Sequence, residues 1–378
     1  MSETSRTLLP EGLRDVLPPD AGFESDVVER LKRQFAANGY ALVQPPLVEF
    51  EDSLLSGVGT ALSSRIFRML DPVSHKTLGV RADITTQTAR IAATRLAANP
   101  RPLRLGYAGQ VLRVKGSQLE PERQFTQAGI ELIGAESGAA DVEVILVIAE
   151  ALAALGVEGV SVDLALPTLV PAILAAQAPA NTERLRAALD HKDVAEIKAA
   201  GGVAAATLTT LVEASGSYAE AAARISKLML PPAAKAEWQK LVDVADAVRA
   251  AAPALTLTVD AVENRGFEYH TGITFSVFAR NSQRELGRGG RYRLTHGHGG
   301  EAATGATLLV DALLSAVPRG QSAKRLFAPV ATERAAILAW QEKGWCVVAG
   351  LAKTNEDKAE ARRLECSHVL LGNEAKEI

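Results

Sequence analysis

The spacing of apolar residues predicts a chain in which helices and strands are interspersed. Val27, Leu31 and Phe35 lie on one face of a predicted helix over residues 25–38, and Gly39 is placed to end it. Similar spacing predicts helices over residues 84–99, 141–155 and 304–314. Apolar and β-branched runs predict strands over residues 40–47, 65–70, 76–81, 103–113, 123–133, 255–259 and 273–278. This mixture indicates an α+β fold.

Two changes of pattern divide the chain. Residues 171–253 are rich in alanine and keep helical spacing, which predicts a helical insertion within a core that spans residues 1–318. Residues 319–378 begin with a polar linker and then alternate strand, helix, strand, helix and strand, which predicts a small C-terminal α/β domain. A chain of 378 residues exceeds what one hydrophobic core usually serves, in agreement with this division.

Composition excludes several classes of protein. Hydrophobic residues make up 47% and charged residues 22%, as in ordinary globular proteins, and no apolar run is long enough to span a membrane. A net charge of −3 provides no general attraction for nucleic acid. Only two cysteines are present, and the N-terminus lacks the apolar segment of a signal peptide. We therefore expect a cytoplasmic protein with no nucleic-acid or membrane partner.

One predicted strand, residues 123–133, carries polar groups among apolar neighbours. Because side chains alternate along a strand, Gln127, Gly129 and Glu131 face the same way, and the glycine leaves room for a ligand. A buried carboxylate at Glu131 needs a positively charged partner. That partner is either a cation of a ligand or an arginine such as Arg265, and the strand alone does not decide between them.

Other polar groups stand at the ends of predicted elements. Asp83 and Thr85 lie where a strand passes into a helix, so Asp83 either caps that helix or binds an ammonium group. Arg113 and Arg123 flank a loop, where they either hold a carboxylate or phosphate or form local ion pairs at a solvated hairpin tip.

A basic, acidic and aromatic cluster precedes the predicted strand at 273–278. It contains Arg265, Tyr269 and His270, which we expect to line a pocket at the edge of a sheet. The glycine-rich run 287–300 lacks the Lys-Ser/Thr of a phosphate-binding loop, and its two histidines, His296 and His298, lack a third metal ligand. The sequence therefore predicts a mobile surface loop there, with no metal site.

Four segments, taken in order, resemble the catalytic core of histidyl-tRNA synthetase, a class II synthetase fold with an antiparallel sheet flanked by helices. They are residues 9–15, 78–85, 113–134 and 265–272, within a likeness that covers about residues 8–318. The resemblance implies a histidine-binding site formed by Asp83, Thr85, Arg113, Gln127, Glu131, Arg265, Tyr269 and His270. Asp83 stands where the synthetase usually has glutamate.

The nucleotide side of the synthetase site is matched poorly. The resemblance calls for an acidic residue soon after Arg113, where Val114 and Lys115 stand, and for a phosphate-binding arginine where Ala312 stands. A phosphate without that arginine loses a strong charge-assisted hydrogen-bond partner. The resemblance therefore implies that histidyl-adenylate formation is absent or very slow. The C-terminal domain is also shorter than the anticodon-binding domain of the synthetase.

A synthetase-like core without the nucleotide site resembles the regulatory subunits of ATP phosphoribosyltransferase. In that family a short catalytic subunit joins ATP to phosphoribosyl pyrophosphate in the first step of histidine biosynthesis. The resemblance implies a protein without catalytic residues, cofactor or metal that activates the catalytic subunit and binds L-histidine as a feedback effector. It also implies a dimer within a hetero-octamer. The alternatives are a divergent active histidyl-tRNA synthetase and a synthetase-like protein that acts on another amino acid or on a protein.

Overall fold

The structure of the chain is a computed structural model that describes residues 8–116, 121–177, 182–263, 269–294, 300–320, 324–353 and 356–378. The chain divides into two compact units between Pro318 and Arg319. No helix among these described residues is long and apolar enough to cross a membrane.

The first unit contains both strands and helices. Its strands are β1 (Ala41–Leu42), β2 (Val48–Phe50), β3 (Phe67–Leu70), β4 (Thr77–Val80), β5 (Leu103–Leu112), β6 (Gln124–Ile133), β7 (Val160–Ala165), β8 (Gly216–Ser217), β9 (Thr256–Asp260), β10 (His270–Ala279), β11 (Gly287–Arg293) and β12 (Ala302–Leu309). Its helices are α1 (Asp20–Ala37), α2 (Glu51–Leu54), α3 (Thr85–Thr94), α4 (Ala139–Ala154), α5 (Leu169–Gln177), α6 (Thr182–Asp190), α7 (Val194–Ala200), α8 (Ala205–Glu213), α9 (Tyr218–Ile225), α10 (Pro232–Ala251) and α11 (Val310–Leu313). Short 3-10 helices cover Gly57–Arg65 and Gly202–Ala204.

A nine-stranded sheet organises this unit, in the order β1-β5-β6-β12-β11-β10-β7-β9-β8. The strands from β5 to β7 in this order pair antiparallel, whereas β1 pairs parallel to β5 and β9 parallel to β7. Helices α1 and α4 bury their apolar faces in the main core, where Leu31, Phe35, Val144 and Ile148 are almost fully buried. Strands β2, β4 and β3 form a separate small sheet.

The predicted helix over residues 304–314 is wrong. Residues 302–309 form strand β12, which pairs with β6 on one side and β11 on the other, and only Val310–Leu313 are helical. Every residue of β12 is buried. A fully buried strand shows no alternation of apolar and polar residues, so its periodicity does not distinguish it from a buried helix.

The prediction of a mobile surface loop is also wrong for residues 287–293, which form β11 in the interior of the sheet. At Gly289 the neighbouring strands leave no room for a side chain, since a Cβ atom there would lie 2.4 Å from the carbonyl oxygen of Gly305 and 2.5 Å from the ring of Phe275. The predicted strand at 40–47 shortens to Ala41–Leu42. Pro45 and Pro46 follow, and proline lacks the N–H that a ladder requires.

The second unit, residues 319–378, forms a four-stranded sheet in the order β14-β13-β15-β16. Its elements are β13 (Arg325–Ala328), α12 (Arg334–Glu342), β14 (Cys346–Ala349), α13 (Asp357–Arg363), β15 (His368–Leu371) and β16 (Glu374–Glu377). The alternation of strand and helix agrees with the pattern of the sequence. Strand β16, which pairs antiparallel with β15, was not predicted.

Candidate functional site

A cavity of about 1040 Å³ lies over one face of the nine-stranded sheet. Its floor follows the register of the central strands. Glu131 lies opposite Gly305, which in turn lies opposite Gly290. In the adjacent row, Tyr107 lies opposite Gly129, Gly129 lies opposite Thr307, and Thr307 lies opposite Arg288. Because residues two apart share a face of a strand, both rows present their side chains to the cavity.

Two glycines keep this floor open. A Cβ atom on Gly305 would lie 1.8 Å from Oε2 of Glu131, and one on Gly129 would lie 2.4 Å from the hydroxyl of Tyr107. Both distances are far below van der Waals contact. Glu131 and Tyr107 therefore lie across backbone that carries no side chain, and any larger residue at either glycine would displace them.

Glu131 is a buried carboxyl group in the lining of the cavity. It is only 1% exposed, and burial raises its pKa from 4.5 to about 8. The hydroxyl of Tyr292 donates a hydrogen bond of 2.8 Å to Oε2 and works against this rise, as do the hydroxyls of Thr85 and Tyr107. Near neutral pH burial therefore favours protonated Glu131, and a bound cation would favour the carboxylate.

Hydroxyl groups connect the strands around Glu131. The hydroxyl of Tyr107 is 3.1 Å from that of Thr85 and 2.6 Å from that of Thr307, and all three side chains are buried. These hydrogen bonds join the first turn of α3 to β5 and β12. They fix the positions of groups that can donate to or accept from a polar ligand.

Asp83 and Gln127 form a second polar pair at the start of α3. The amide of Thr85 donates to Oδ1 of Asp83 at 2.8 Å, and Nε2 of Gln127 donates to Oδ2 at 2.9 Å. Oε1 of Gln127 accepts from the amide of Ile84 at 3.1 Å. Asp83 thus makes a cap-like bond to the start of the helix and also lines the cavity, so its two predicted roles are compatible.

Tyr269 and His270 line the cavity at the start of β10. Their rings are 4.0 Å apart, and the ring of Tyr269 meets that of Tyr292 edge-on at 6.0 Å. Arg265 lies outside the described residues, as do His296 and His298. The expectation that Arg265 pairs with Glu131 or with a ligand therefore stays a prediction.

The other end of the cavity is basic. Arg65, Arg113, Lys115 and Arg284 line it, whereas Arg288 lines the cavity in the row of Thr307 and Gly129, next to that of Glu131. The amide of Arg113 donates to the carbonyl of Arg123, which precedes β6, so the backbone of Arg113 lies roughly 26 Å along the strand from that of Glu131, while its guanidinium lies over the ring of Phe125. Six predicted site residues therefore gather towards the Glu131 end, and Arg113 lies at the opposite end.

The structure places Ala312, the residue that stands where the resemblance calls for a phosphate-binding arginine. Ala312 lies in α11, is fully buried in the main core and is not among the described residues that line the cavity. Its neighbour Asp311 instead binds Arg284, which donates to Oδ2 at 2.6 Å. Two carboxylates of the protein, Asp311 and Glu122, therefore lie within ion-pair distance of Arg284 in the lining of the cavity.

Several site residues were missed from the sequence. They are Tyr107, Tyr292, Thr307, Arg284 and Arg288, all of which line or adjoin the cavity. Alternation along residues 103–112 would have placed Tyr107 on the same side as the other odd-numbered residues, but only strand pairing shows that this side meets Gly129. Among the described residues, no group of three His, Cys, Asp or Glu side chains is arranged to hold a metal ion.

Comparison with known proteins identifies the family. The family model described as histidyl-tRNA synthetase matches residues 12–313. An ATP phosphoribosyltransferase regulatory subunit of Paramagnetospirillum magneticum is 57% identical over 98% of both chains. The chain belongs to the family of ATP phosphoribosyltransferase regulatory subunits. The regulatory subunit of Rhodospirillum centenum is 50% identical, over 99% of this chain and 97% of that protein.

A solved structure agrees with the fold. A Bacillus halodurans protein described as an ATP phosphoribosyltransferase regulatory subunit/histidyl-tRNA synthetase matches with a TM-score of 0.81 and 25% identity, over 96% of this chain and 97% of that one. The predicted α+β, class II synthetase-like fold is confirmed.

Proposed function

We propose that this regulatory subunit binds L-histidine at the Glu131 end of the cavity and conveys feedback inhibition to a short ATP phosphoribosyltransferase catalytic subunit. Its regulatory role in histidine biosynthesis follows from the family. Histidine as the effector is supported by the polar lining of this end of the cavity. The observation that carries the proposal is the buried carboxyl of Glu131, which hydroxyl groups hold and which has no cationic partner in the part of the chain that the structure describes.

The chemistry of this end suits an amino acid with a basic side chain. Asp83 and Glu131 supply carboxylates for the ammonium and imidazole groups, while Thr85 and Gln127 supply neutral donors and acceptors. Tyr269 and His270 add ring faces at the rim. A counterpart for the ligand carboxylate is proposed at Arg265. Each charge of bound histidine then has a partner, which buried charges require.

The same proposal holds that aminoacylation activity is lost. The support is Ala312, which lies in the apolar core where the resemblance calls for a phosphate-binding arginine. We expect no histidine-dependent exchange of pyrophosphate into ATP by the isolated chain. Exchange well above background would favour the alternative of a divergent active histidyl-tRNA synthetase.

The proposed assembly joins this chain, as a dimer, to the catalytic subunit in a hetero-octamer, in the cytoplasm and without nucleic acid. Its central test is reconstitution. The chain should form a complex with the short catalytic subunit on a sizing column and raise its rate of phosphoribosyl-ATP synthesis. Equal activity of the catalytic subunit alone, with no complex formed, would contradict the proposal.

Histidine binding is tested by calorimetry on the isolated chain. Truncating one partner of a buried charged pair costs about 2–5 kcal/mol, so Glu131→Ala should weaken histidine binding at least about tenfold. Unchanged histidine affinity in this variant would mean that histidine binds elsewhere on the chain. Lost affinity with unchanged inhibition of the complex would place feedback sensing on the catalytic subunit.

A further inference from the structure

Tyr269 and His270, which line the cavity, follow a connection that leaves the sheet at Asp260. Asp260 is the last residue of β9, and residues 261–268 join it to Tyr269 and to His270, where β10 begins. Arg265, proposed above as the counterpart of the ligand carboxylate, belongs to the same connection by sequence. Contacts that fix the start of this connection therefore bear on three of the proposed ligand groups.

The side chain of Asp260 fixes the start of the connection. It is buried, and its Oδ1 accepts hydrogen bonds from the amide of Val262 at 3.3 Å and from the hydroxyl of Ser215 at 3.2 Å. Its Oδ2 accepts from the ammonium group of Lys192. The amide of Glu263 donates to the backbone carbonyl of Asp260 at 3.4 Å. One buried carboxylate thus binds both the connection and residues distant from it in sequence.

Two of these donors belong to the helical insertion. Lys192 lies between α6 and α7, and Ser215 lies between α8 and β8. Lys192 has a φ of 53°, a left-handed conformation that residues with a side chain rarely adopt and that glycine usually supplies at the end of a helix. Glycine there would remove the ammonium group that Asp260 binds. The ion pair therefore gives a reason for lysine at this position.

Lys192 also acts on a second carboxyl group, that of Asp163 in the neighbouring strand β7. Asp163 lies opposite Thr258 of β9, and the hydroxyl of Thr258 donates to its Oδ1 at 2.6 Å. Burial raises the pKa of the Asp163 carboxyl, the carboxylate of Asp260 raises it further, and the ammonium group of Lys192 lowers it. The ammonium group thus offsets repulsion between two neighbouring acids, so its removal should loosen the attachment of Asp260.

Asp260 is too distant to contact histidine at Glu131. In the register of the sheet Asp260 lies opposite Ala165, and the same row continues through Thr274, Gly290 and Gly305 to Glu131. Five strand spacings of about 4.8 Å separate Asp260 from Glu131 by about 24 Å.

The ring of His270 lies between these two ends of the row. It covers Gly290, where a Cβ atom would lie 2.8 Å from Cδ2 of His270. Asp260 and Lys192 are not among the described residues that line the cavity. Their effect on histidine binding would therefore pass through the connection to Tyr269 and His270.

We propose that Asp260 and Lys192 are positioning residues of the histidine site, an inference that rests on the function proposed above. Their ion pair fastens the connection to the helical insertion and so holds Tyr269 and His270 in the conformation that binds histidine. Groups that are held in place before binding lose less conformational entropy when the ligand arrives. A purely structural ion pair would instead affect stability alone.

The test applies two measurements to variants of the isolated full-length chain. Calorimetry gives the histidine affinity, and amide hydrogen exchange without histidine reports on residues 269–272. Lys192→Gln and Asp260→Asn should each weaken histidine binding at least about fivefold and speed exchange at these amides to a similar extent. Lys192→Arg keeps the charge and should stay within about twofold of the wild-type affinity.

Arg184→Gln is the matched control. It also removes one cation of the helical insertion, but the partner of Arg184 is Glu196 in α7, which is not part of the connection. Histidine affinity and exchange should both equal those of the wild-type chain. Chemical denaturation identifies conditions in which every variant is folded, so that weaker binding does not reflect unfolding.

Several results would overturn the assignment. They are wild-type histidine affinity in Lys192→Gln, weaker binding without faster exchange at residues 269–272, and an equal loss of affinity in Arg184→Gln. If the wild-type chain itself does not bind histidine, the proposed function fails at this site. Faster exchange in Lys192→Gln would then still support anchoring of Tyr269 and His270 by the insertion, whereas unchanged exchange would overturn the anchoring as well.

Discussion

The substitution Gly305→Ala tests the geometry of the proposed histidine site with one methyl group. The added Cβ would lie 1.8 Å from Oε2 and 2.4 Å from Cδ of Glu131, distances that packed atoms do not adopt. The backbone of Gly305 is fixed by ladders to β6 and β11, so the side chain of Glu131 has to move. A shift of about 1 Å breaks its 2.8 Å hydrogen bond from Tyr292.

The magnitude follows from that lost contact. A hydrogen bond to a charged group contributes about 1.5–3 kcal/mol, and 1.4 kcal/mol corresponds to a factor of ten. We expect histidine to bind Gly305→Ala at least about tenfold more weakly. Overpacking should also lower the free energy of unfolding by about 1–3 kcal/mol.

Calorimetry and thermal unfolding measure the two effects. Gly22→Ala is the matched control, because Gly22 lies in α1 and its Cβ would meet nothing within 4 Å. It should leave histidine affinity unchanged and stabilise the helix by about 0.5–1 kcal/mol. Wild-type histidine affinity in Gly305→Ala would refute the assignment of Glu131 as a ligand group.

Three further predictions concern the same region. The pKa of Glu131 in the folded chain, about 8, exceeds its ordinary value of 4.5, so its contribution to stability is full below pH 4.5 and falls by roughly 1.4 kcal/mol per pH unit up to pH 8. Glu131→Gln should therefore flatten this part of the profile of unfolding free energy against pH. Identical profiles for the two chains would contradict the buried environment of Glu131. Tyr292→Phe removes the donor to Glu131 and should weaken histidine binding about fivefold or more in calorimetry, with little change in fold by circular dichroism. Asp141→Ala leaves the guanidinium of Arg291 without its 2.8 Å partner and should destabilise the chain by about 3–5 kcal/mol in chemical denaturation, whereas an effect below 1 kcal/mol would show that the pair is solvated.

Local pattern was sufficient for elements whose two faces differ. Helix α1 was predicted with its start five residues late and its end one residue late, because its apolar residues recur at the period of a helix. Strand β6 was predicted to within one residue although nine of its ten residues are buried. Prediction from the local pattern failed for β12, whose two faces are both buried, and for β11, whose glycines are required by contacts with neighbouring strands. Those contacts are set by pairing between distant segments, which local sequence does not contain.

The site divides in a similar way. Glu131 and Gln127 could be predicted, because polar side chains in an apolar strand require partners. Tyr107 and Thr307 could not, since their hydroxyls meet only through the register of β5, β6 and β12. The basic lining of the cavity was underestimated for the same reason: Arg284 and Arg288 lie about 170 residues from Arg113 in sequence but line the same cavity.

The most direct test of the account is phosphoribosyl-ATP synthesis by the short catalytic subunit, measured with this chain or its Glu131→Gln variant and titrated with histidine. We expect both chains to form the complex and raise the rate, and the variant to require at least about tenfold more histidine for half inhibition. An unchanged histidine concentration for half inhibition in a variant that still activates would contradict the claim that the Glu131 cavity senses histidine.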